Sequence, residues 1–429
     1  MIMHEPIVGM PGRLGLSGEF QPLIDGQLRI LNEMILPNGA VLASPNGGYR
    51  AHWVRDGLYV ATAAATLGLS DLTHRLIRAP FSIFQKHRAK ILGGIRNPPG
   101  TNFDFIHARY QPTHFDELAG EWGHNQLDMI GLFLFLVARL PEKGIAVFHS
   151  GRQHEDRILL SHITRYLETL EWWNCPDYGV WEEGPKLNSS SLGAVLSGLQ
   201  GLLRLNDPDL FFNEAQLEKG RTALRKLLPE ESAGRSCDLA QLSLIWPFDV
   251  LDAAQAKTVL ANVESELVRE RGVIRYRKDA YFNGADLRLI TVRDARIGQE
   301  VADYEEEHKK IFPYASEGTE AQWPLGLAWL SIVHAKLAKK ALHEARTADD
   351  RAELDNSAAH HKKRAAHYMA QLARCAVPVA GIEPGYIPEL YVGDRPNCNV
   401  PLTWASAFCI VAAVALDEID DPGVPYGAF

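Results

Sequence analysis

The sequence of 429 residues has few cysteines and no long hydrophobic run. Its cysteines are Cys175, Cys237, Cys375, Cys398 and Cys409. They show no Cys-x-x-Cys spacing, which favours reduced thiols over a zinc site or a disulfide framework. No apolar run reaches the roughly 20 residues that a membrane-spanning helix needs, and residues 1–27 lack the basic start and apolar stretch of a signal peptide. We therefore expect a cytoplasmic protein without a membrane partner.

Two further classes of function are disfavoured, one by the net charge of the chain and the other by the absence of known binding and catalytic motifs. The net charge of −9 argues against nucleic acid as the main partner. The sequence has no glycine-rich phosphate loop, no Gly-x-Ser-x-Gly elbow and no His-Glu-x-x-His zinc helix, and its sixteen histidines are dispersed. We expect no cofactor and no metal.

Helical periodicity dominates what is present. Amphipathic helices are predicted over 19–36, 55–69, 72–92, 125–140, 153–173, 190–205, 213–228, 236–245, 253–270, 322–340, 357–376 and 402–416. Strand-like runs are short, such as Gly272–Tyr276. The long segments between the helices are rich in glycine, proline and aromatic residues, and long loops of this kind are usually functional. Because no linker-like tract divides the chain, we predict a single domain over residues 1–429.

The segment 178–191 carries two adjacent carboxylates, Glu182 and Glu183, directly after Trp181 and before a predicted helix start. Asn188–Ser190 are suited to cap that helix through their side-chain oxygens. A carboxyl group against an indole loses solvation in its charged form, which favours a general acid. The alternative is an exposed acidic loop that only begins a helix.

Five other loops also combine aromatic with ionisable residues, most of them near helix starts. The candidates are Trp53, Arg55 and Asp56; Trp122; Arg275 and Asp279; Trp323; and Glu389 with Tyr391. Singly, Asp56 also suits a helix N-terminus, and Trp122 also suits a core. Together they are typical of a sugar site, in which rings stack on indoles and hydroxyl groups bind fixed charges.

These blocks, in this order, resemble glycoside hydrolase family 15, the glucoamylases and their relatives. The resemblance extends from about Gly48 to Ala415. It rests on Trp53-Val54-Arg55-Asp56, Trp122-Gly123 with Gln126 and Asp128, Trp181-Glu182-Glu183, Asn188-Ser189-Ser190, Arg275-Tyr276 with Asp279, and Pro388-Glu389-Leu390-Tyr391 with Leu402-Thr403-Trp404. Other blocks, such as Glu121-Trp122-Gly123-His124, are similar to the glucoamylase-like domain of phosphorylase kinase regulatory subunits.

The resemblance implies an all-α fold, an (α/α)6 barrel of six inner and six outer helices with long active-site loops at one end. It implies hydrolysis with inversion, with Glu182 as general acid and Glu389 as general base, roughly 6.5–9.5 Å apart. Substrate would be bound by Trp53, Arg55, Asp56, Trp122, Trp181, Arg275, Asp279, Trp323 and Tyr391, with Glu183 acting on Glu182 through its like charge. Small members of that family include enzymes that act on isomaltose, so the resemblance also implies isomaltose-type substrates.

Several alternatives stay open. Glu317 and Glu320 are rival candidates for the base. We expect no N-terminal β-sandwich and no starch-binding domain, so the expected substrates are short α-gluco-oligosaccharides, linked α-1,6 or α-1,4. The rival functions are a non-catalytic carbohydrate-binding or regulatory module, and an inverting phosphorylase or trehalase on the same barrel. The oligomeric state is left undetermined by the sequence.

Overall fold

A computed structural model describes residues 20–45, 47–281, 318–346, 351–379, 382–397 and 399–421. This part of the chain is mainly helical, as predicted. Its α-helices are α1 (Gln21–Met34), α2 (Val54–Thr66), α3 (Ser70–Lys86), α4 (Arg88–Arg96), α5 (Leu127–Arg139), α6 (Gln153–Thr169), α7 (Ser189–Leu205), α8 (Ala215–Leu227), α9 (Ala253–Glu266), α10 (Leu325–Ala345), α11 (Arg351–Arg374) and α12 (Thr403–Asp417).

The described strands form four two-stranded antiparallel sheets. The pairs are β1 (His52–Trp53) with β2 (Arg109–Tyr110), β3 (Val268–Arg269) with β4 (Gly272–Val273), β5 (Val377–Val379) with β6 (Ile382–Tyr386), and β7 (Tyr391–Val392) with β8 (Arg395–Pro396). These short ribbons lie in the connections between helices, where they hold candidate site residues in place.

The chain is divided into two compact units. One consists of the described residues within Met1–Ile35, Leu42–Arg50 and Val263–Phe429, and the other of those within Leu36–Val41 and Ala51–Asn262. In the first unit, α10 packs against α11 and α12, and α12 packs against α1. In the second, α5 packs along α7, and α2 packs against α3 and α5. The sequence-based assignment of one domain over 1–429 stays a prediction.

The contact between α5 and α7 depends on glycine. A Cβ atom on Gly131 would lie 2.4 Å from the backbone of Ala194 and Val195, and one on Gly198 would lie 2.7 Å from the carbonyl oxygen of Gly131. Since no such approach is tolerated, the two backbones are as close as they are because neither glycine has a side chain. This packing holds the N-termini of both helices, which carry site residues.

We expect Gly131→Ala to lower the free energy of unfolding by about 1–3 kcal/mol, because the added methyl group must push the helices apart. Gly93 is the matched control, since it is also helical but a Cβ there meets no atom within 4 Å. Gly93→Ala should raise the free energy of unfolding by roughly 0.5–1 kcal/mol. Urea denaturation followed by circular dichroism measures both, and equal effects would contradict the close packing.

Three local predictions differ from the structure. The predicted helix over 72–92 is two helices separated at His87. The predicted helix over 236–245 is a 3₁₀ helix, Leu239–Leu244, which the Asp238 carboxylate caps and which Pro247 cannot extend for lack of an N–H. The strand expected over Gly272–Tyr276 is shorter, covering Gly272–Val273.

No helix in the described ranges is both long and apolar enough to cross a membrane.

Candidate active site

The first candidate carboxylate, Glu182, lies on a strained turn. Its φ angle of 59° is in the left-handed region, which costs a non-glycine residue of order 1–3 kcal/mol and is characteristic of functional sites. Backbone hydrogen bonds from Glu182 to Gly179 (3.2 Å) and from Glu183 to Tyr178 (3.1 Å) maintain the turn. Gly179 is itself left-handed, with φ of 62°, and there glycine is favoured.

The Glu182 carboxylate is held entirely by donors. Its Oε1 accepts hydrogen bonds from the Trp53 indole (2.9 Å) and the Gln126 amide (3.1 Å), and its Oε2 accepts one from the Trp122 indole (2.8 Å). Arg55 approaches Oε1 at 3.5 Å. The side chain is 15% exposed. Four residues from two separate segments, 53–55 and 122–126, therefore position one carboxylate.

Arg55, in the first turn of α2, is buried and connects this carboxylate to α5. Its Nε donates to Asp128 Oδ2 (2.7 Å) and its Nη2 donates to Gln126 Oε1 (2.5 Å). Asp128, Glu182 and Asp56 raise the pKa of Arg55 through their negative charge, against the opposing effect of burial. Asp56 is also buried, in the same turn. The guanidinium is thus a permanent, fixed positive charge beside Glu182.

The side chains of Trp181 and Glu183 contact Asp238 and Arg235. The Trp181 indole donates to Asp238 Oδ1 (2.7 Å), whereas the indoles that donate to Glu182 are those of Trp53 and Trp122. The Glu183 carboxylate accepts from Arg235 Nη2 (2.7 Å), and Arg235 also donates to Asp238 Oδ2 (3.2 Å). Arg235 therefore offsets the negative charge of Glu183, and the effect of Glu183 on Glu182 stays a prediction.

Asp177 is a buried carboxylate that anchors the base of this loop. It accepts hydrogen bonds from the backbone of Leu127 (3.0 Å) and Gly179 (3.2 Å) and from the side chains of Asn188 (2.9 Å) and Ser191 (2.7 Å). Burial is the main cause that raises the pKa of Asp177 to about 7. Asp177 thereby connects the start of α5, the turn before Glu182 and the start of α7.

The capping prediction for Asn188–Ser190 is right in position and wrong in detail. Asn188 is the N-cap residue of α7, but its side chain makes no capping hydrogen bond, since its amide donates to Asp177 and Lys186. The hydroxyl groups of Ser189 and Ser190 donate to the buried Glu231 at 2.6 and 2.5 Å. Burial is the main cause that raises the pKa of Glu231 to about 8.

The second candidate carboxylate, Glu389, is 2% exposed. Its Oε1 accepts from the Tyr49 hydroxyl (2.8 Å), and its Oε2 accepts from the amides of Asn397 (2.5 Å) and Asn399 (2.7 Å). Burial raises the pKa of Glu389, while these three donors and the positive charge of Arg275 oppose the rise. The result is a carboxylate that binds a proton more readily than a solvated glutamate does.

A second fixed guanidinium lies in the same unit as Glu389. Arg275 forms a bidentate pair with Asp279, at 2.6 and 2.7 Å, and both side chains are buried. Its guanidinium lies 4.7 Å from the ring of Tyr281 and 5.4 Å from that of Trp323. The Tyr281 hydroxyl is 3.2 Å from that of Tyr49. Arg275, Asp279 and Trp323 are therefore brought together, as the sugar-site hypothesis requires.

The polar atoms of the remaining candidates, Tyr391 and Glu320, form hydrogen bonds with the backbone. The Tyr391 hydroxyl donates to the carbonyl of Cys375 (2.7 Å), and burial raises the pKa of Tyr391 to about 12. Glu320 is buried, and its carboxylate accepts from the backbone N–H groups of Lys278 (2.8 Å) and Gly318 (2.7 Å). Both oxygens of this rival base thus stabilise a loop. Glu317 lies outside the described residues.

Sequence reasoning did not select Tyr49, Asn397 and Asn399 as site residues. Tyr49 is an aromatic residue in a glycine-rich loop, and that signal could have found it. The two asparagines carry no motif of their own. Within the described ranges, no group of three or more His, Cys, Asp or Glu side chains could hold a metal ion.

Comparison with known proteins supports the resemblance. Residues 34–210 match the family described as Glycosyl hydrolases family 15. Curated relatives include probable phosphorylase b kinase regulatory subunit alpha from Drosophila melanogaster, 24% identical over 75% of this chain, and from Caenorhabditis elegans, 26% identical over 65%. The aligned regions cover 27% and 24% of those proteins, so the chain spans about a quarter of their length.

Solved structures share the fold. A wild-type glycosidase aligns with a TM-score of 0.65 and 19% identity, over 92% of this chain and 96% of that one. The glucoamylase from Saccharomycopsis fibuligera aligns with a TM-score of 0.61 and 13% identity, over 96% and 98%. The chain therefore has the (α/α)6 fold of the glucoamylases, as predicted, and is similar both to glycosyl hydrolases of family 15 and to the phosphorylase b kinase regulatory subunits.

Proposed function

We propose that this chain is an inverting glycoside hydrolase of family 15 that releases glucose from the non-reducing end of short α-gluco-oligosaccharides. Glu182 is the general acid and Glu389 the general base. The observation that carries the proposal is that each of the two carboxylates selected by the family resemblance is held by fixed donors from two separate segments of the chain. Two buried Arg–Asp pairs accompany them.

The family resemblance selects Glu182 as the acid, and the three hydrogen-bond donors fix the orientation of its carboxyl group. When the carboxyl group is protonated, none of these partners competes as an acceptor for its proton. Trp122 is bonded to Oε2, which still has a lone pair on which a proton can reside. The proton is then available to the glycosidic oxygen of a bound substrate.

Glu389 suits the base because burial raises its pKa and Oε1 has one described donor, Tyr49. In the proposed step, water attacks the anomeric carbon and loses a proton to Glu389. The bond between that carbon and the glycosidic oxygen breaks as the oxygen receives the proton of Glu182. The products are β-glucose and the shortened saccharide, and both carboxyl groups then exchange protons with water.

The substrate class follows from the remaining groups. Arg55 is a fixed cation near buried Asp56 and Asp128, and Arg275 is a second one beside Asp279 and Trp323. Rigid charges of both signs next to aromatic rings bind the hydroxyl groups and the faces of neutral sugars. Oligosaccharides with α-1,6 and with α-1,4 linkages both belong to this class.

The test is a product assay on glucose disaccharides and their longer oligomers, from pH 4 to pH 8. We expect glucose release from isomaltose-type or malto-type substrates, with the β-anomer formed first in the proton NMR spectrum. Initial formation of the α-anomer would contradict inversion. If no substrate of the panel released glucose, the hydrolase proposal would be wrong.

A second candidate is a non-catalytic carbohydrate-binding or regulatory module, favoured by the similarity to phosphorylase b kinase regulatory subunits. It predicts saturable binding of the same oligosaccharides without turnover. Isothermal titration calorimetry together with the product assay distinguishes the two, because a hydrolase consumes the ligand during the titration. An inverting phosphorylase or trehalase on the same barrel is tested by adding phosphate and by including trehalose in the panel.

A further inference from the structure

The environment of Glu389 is asymmetric between its two oxygens. Oε2 accepts two amide hydrogen bonds, from Asn397 (2.5 Å) and Asn399 (2.7 Å), whereas Oε1 accepts one, from the Tyr49 hydroxyl. Short hydrogen bonds to a charged acceptor are about twice as strong as neutral ones. Two such bonds on one oxygen fix the rotation of the carboxylate and draw charge towards that oxygen.

The backbone explains how the amides reach this oxygen. After Glu389 the chain forms the β7–β8 hairpin and returns alongside itself. The N–H of Glu389 donates to the carbonyl of Asn399 (3.0 Å), and the N–H of Asn397 donates to the carbonyl of Leu390 (3.0 Å). Both asparagines are 4% exposed. Their amides are therefore directed by main-chain pairing and not by a mobile surface segment.

We infer that Asn397 and Asn399 are positioning residues for the base: they occupy Oε2 of Glu389 and leave Oε1 as the oxygen that removes the proton from water. We refer to this pair as the amide clamp. The inference rests on the proposed function, since it assigns the clamp to the base of that reaction. Because both amides stabilise the charged carboxylate, the clamp also determines how far burial raises the pKa of the base.

The sign of the effect follows from this chemistry. The base is active when ionised, so activity rises as pH increases through its pKa. Removing one amide takes away a stabilising partner of the ionised form and moves the acidic limb of the kcat profile upward, by about one pH unit. Asn399→Asp, which keeps the size of the side chain but adds a like charge, should move the limb further than Asn399→Ala.

The experiment compares pH profiles of kcat for wild type, Asn397→Ala, Asn399→Ala and Asn399→Asp. The matched control is Asn213→Ala, because the exposed Asn213 also donates an amide hydrogen bond to a glutamate, Glu168, at 2.7 Å. We expect upward shifts of the acidic limb in the three clamp variants and none in the control. A lower plateau with an unmoved limb would show a merely structural role and overturn the inference.

A second measurement separates failure of the clamp from failure of the proposed function. A double-mutant cycle between Asn399→Ala and Glu389→Gln, by urea denaturation, gives the coupling between the two side chains without any substrate. We expect coupling at pH 8 that disappears at pH 4, as the carboxylate becomes protonated. Coupling without glucose release would support the amide clamp and contradict the hydrolase proposal. Glucose release without coupling would support the hydrolase proposal and contradict the clamp.

Discussion

Glu182→Gln is expected to lower kcat on glucose disaccharides by roughly 10²–10⁴-fold, the usual contribution of a positioned general acid. Glutamine cannot supply a proton to the glycosidic oxygen, so the leaving sugar would depart as an alkoxide. On α-glucosyl fluoride the loss should be much smaller, because fluoride leaves with little protonation. The comparison of kcat for the two substrates, measured by glucose release, is therefore the decisive reading.

The control is Glu183→Gln, which alters the adjacent carboxylate. Glu183 is paired with Arg235 at 2.7 Å, so its replacement disturbs that pair without removing the proposed proton donor. We expect a smaller loss that is similar on both substrates. Equal losses on disaccharide and fluoride in Glu182→Gln would mean that Glu182 binds substrate or supports the loop and is not the acid.

The helices were predicted well from the sequence because the spacing of apolar residues is a local property of each segment. Eleven of the twelve predicted segments overlap α-helices, and the exception, 236–245, holds a 3₁₀ helix. The break at His87 escaped prediction, since 72–92 reads as one amphipathic stretch. Tertiary packing determines where such a stretch is interrupted, and that information is not contained in the spacing.

For the site, neighbours in sequence were mistaken for neighbours in space. Trp181 directly precedes Glu182, yet its indole donates to Asp238, and the indoles on Glu182 come from Trp53 and Trp122. Consecutive side chains in a turn point in different directions, so adjacency predicts little about contact. The sequence could propose which residues belong to the site, but not their pairing.

The donors of Glu389 were missed for a related reason. Asn397 and Asn399 lie several residues after Glu389 in the sequence, and only the β7–β8 hairpin brings their amides to its carboxylate. Tyr49 comes from a segment far earlier in the chain. Neither relation leaves a motif in a single sequence, whereas the paired aromatic and ionisable residues of Trp53, Arg55 and Trp122 do.

Glu389→Gln is also expected to lower kcat on disaccharides, by roughly 10²–10⁴-fold. Glutamine still accepts hydrogen bonds, but it cannot take the proton of the attacking water. Burial raises the pKa of Glu389, so wild-type activity should fall as pH decreases through that raised value. The residual activity of Glu389→Gln should lack this acidic limb, and kcat measured between pH 4 and pH 8 shows whether the limb belongs to Glu389.

The companion variant is Glu320→Gln, which tests the rival base. Because both oxygens of Glu320 accept backbone N–H groups, we expect a modest loss of activity with the acidic limb retained. The reverse outcome, a large loss of activity in Glu320→Gln together with an active Glu389→Gln, would transfer the role of base to Glu320.

Phosphate provides the last distinction, since it is itself a nucleophile and needs no carboxylate to activate water. If Glu389→Gln remained active and phosphate stimulated it, the chain would be a phosphorolytic enzyme, and the buried carboxylate would serve binding alone.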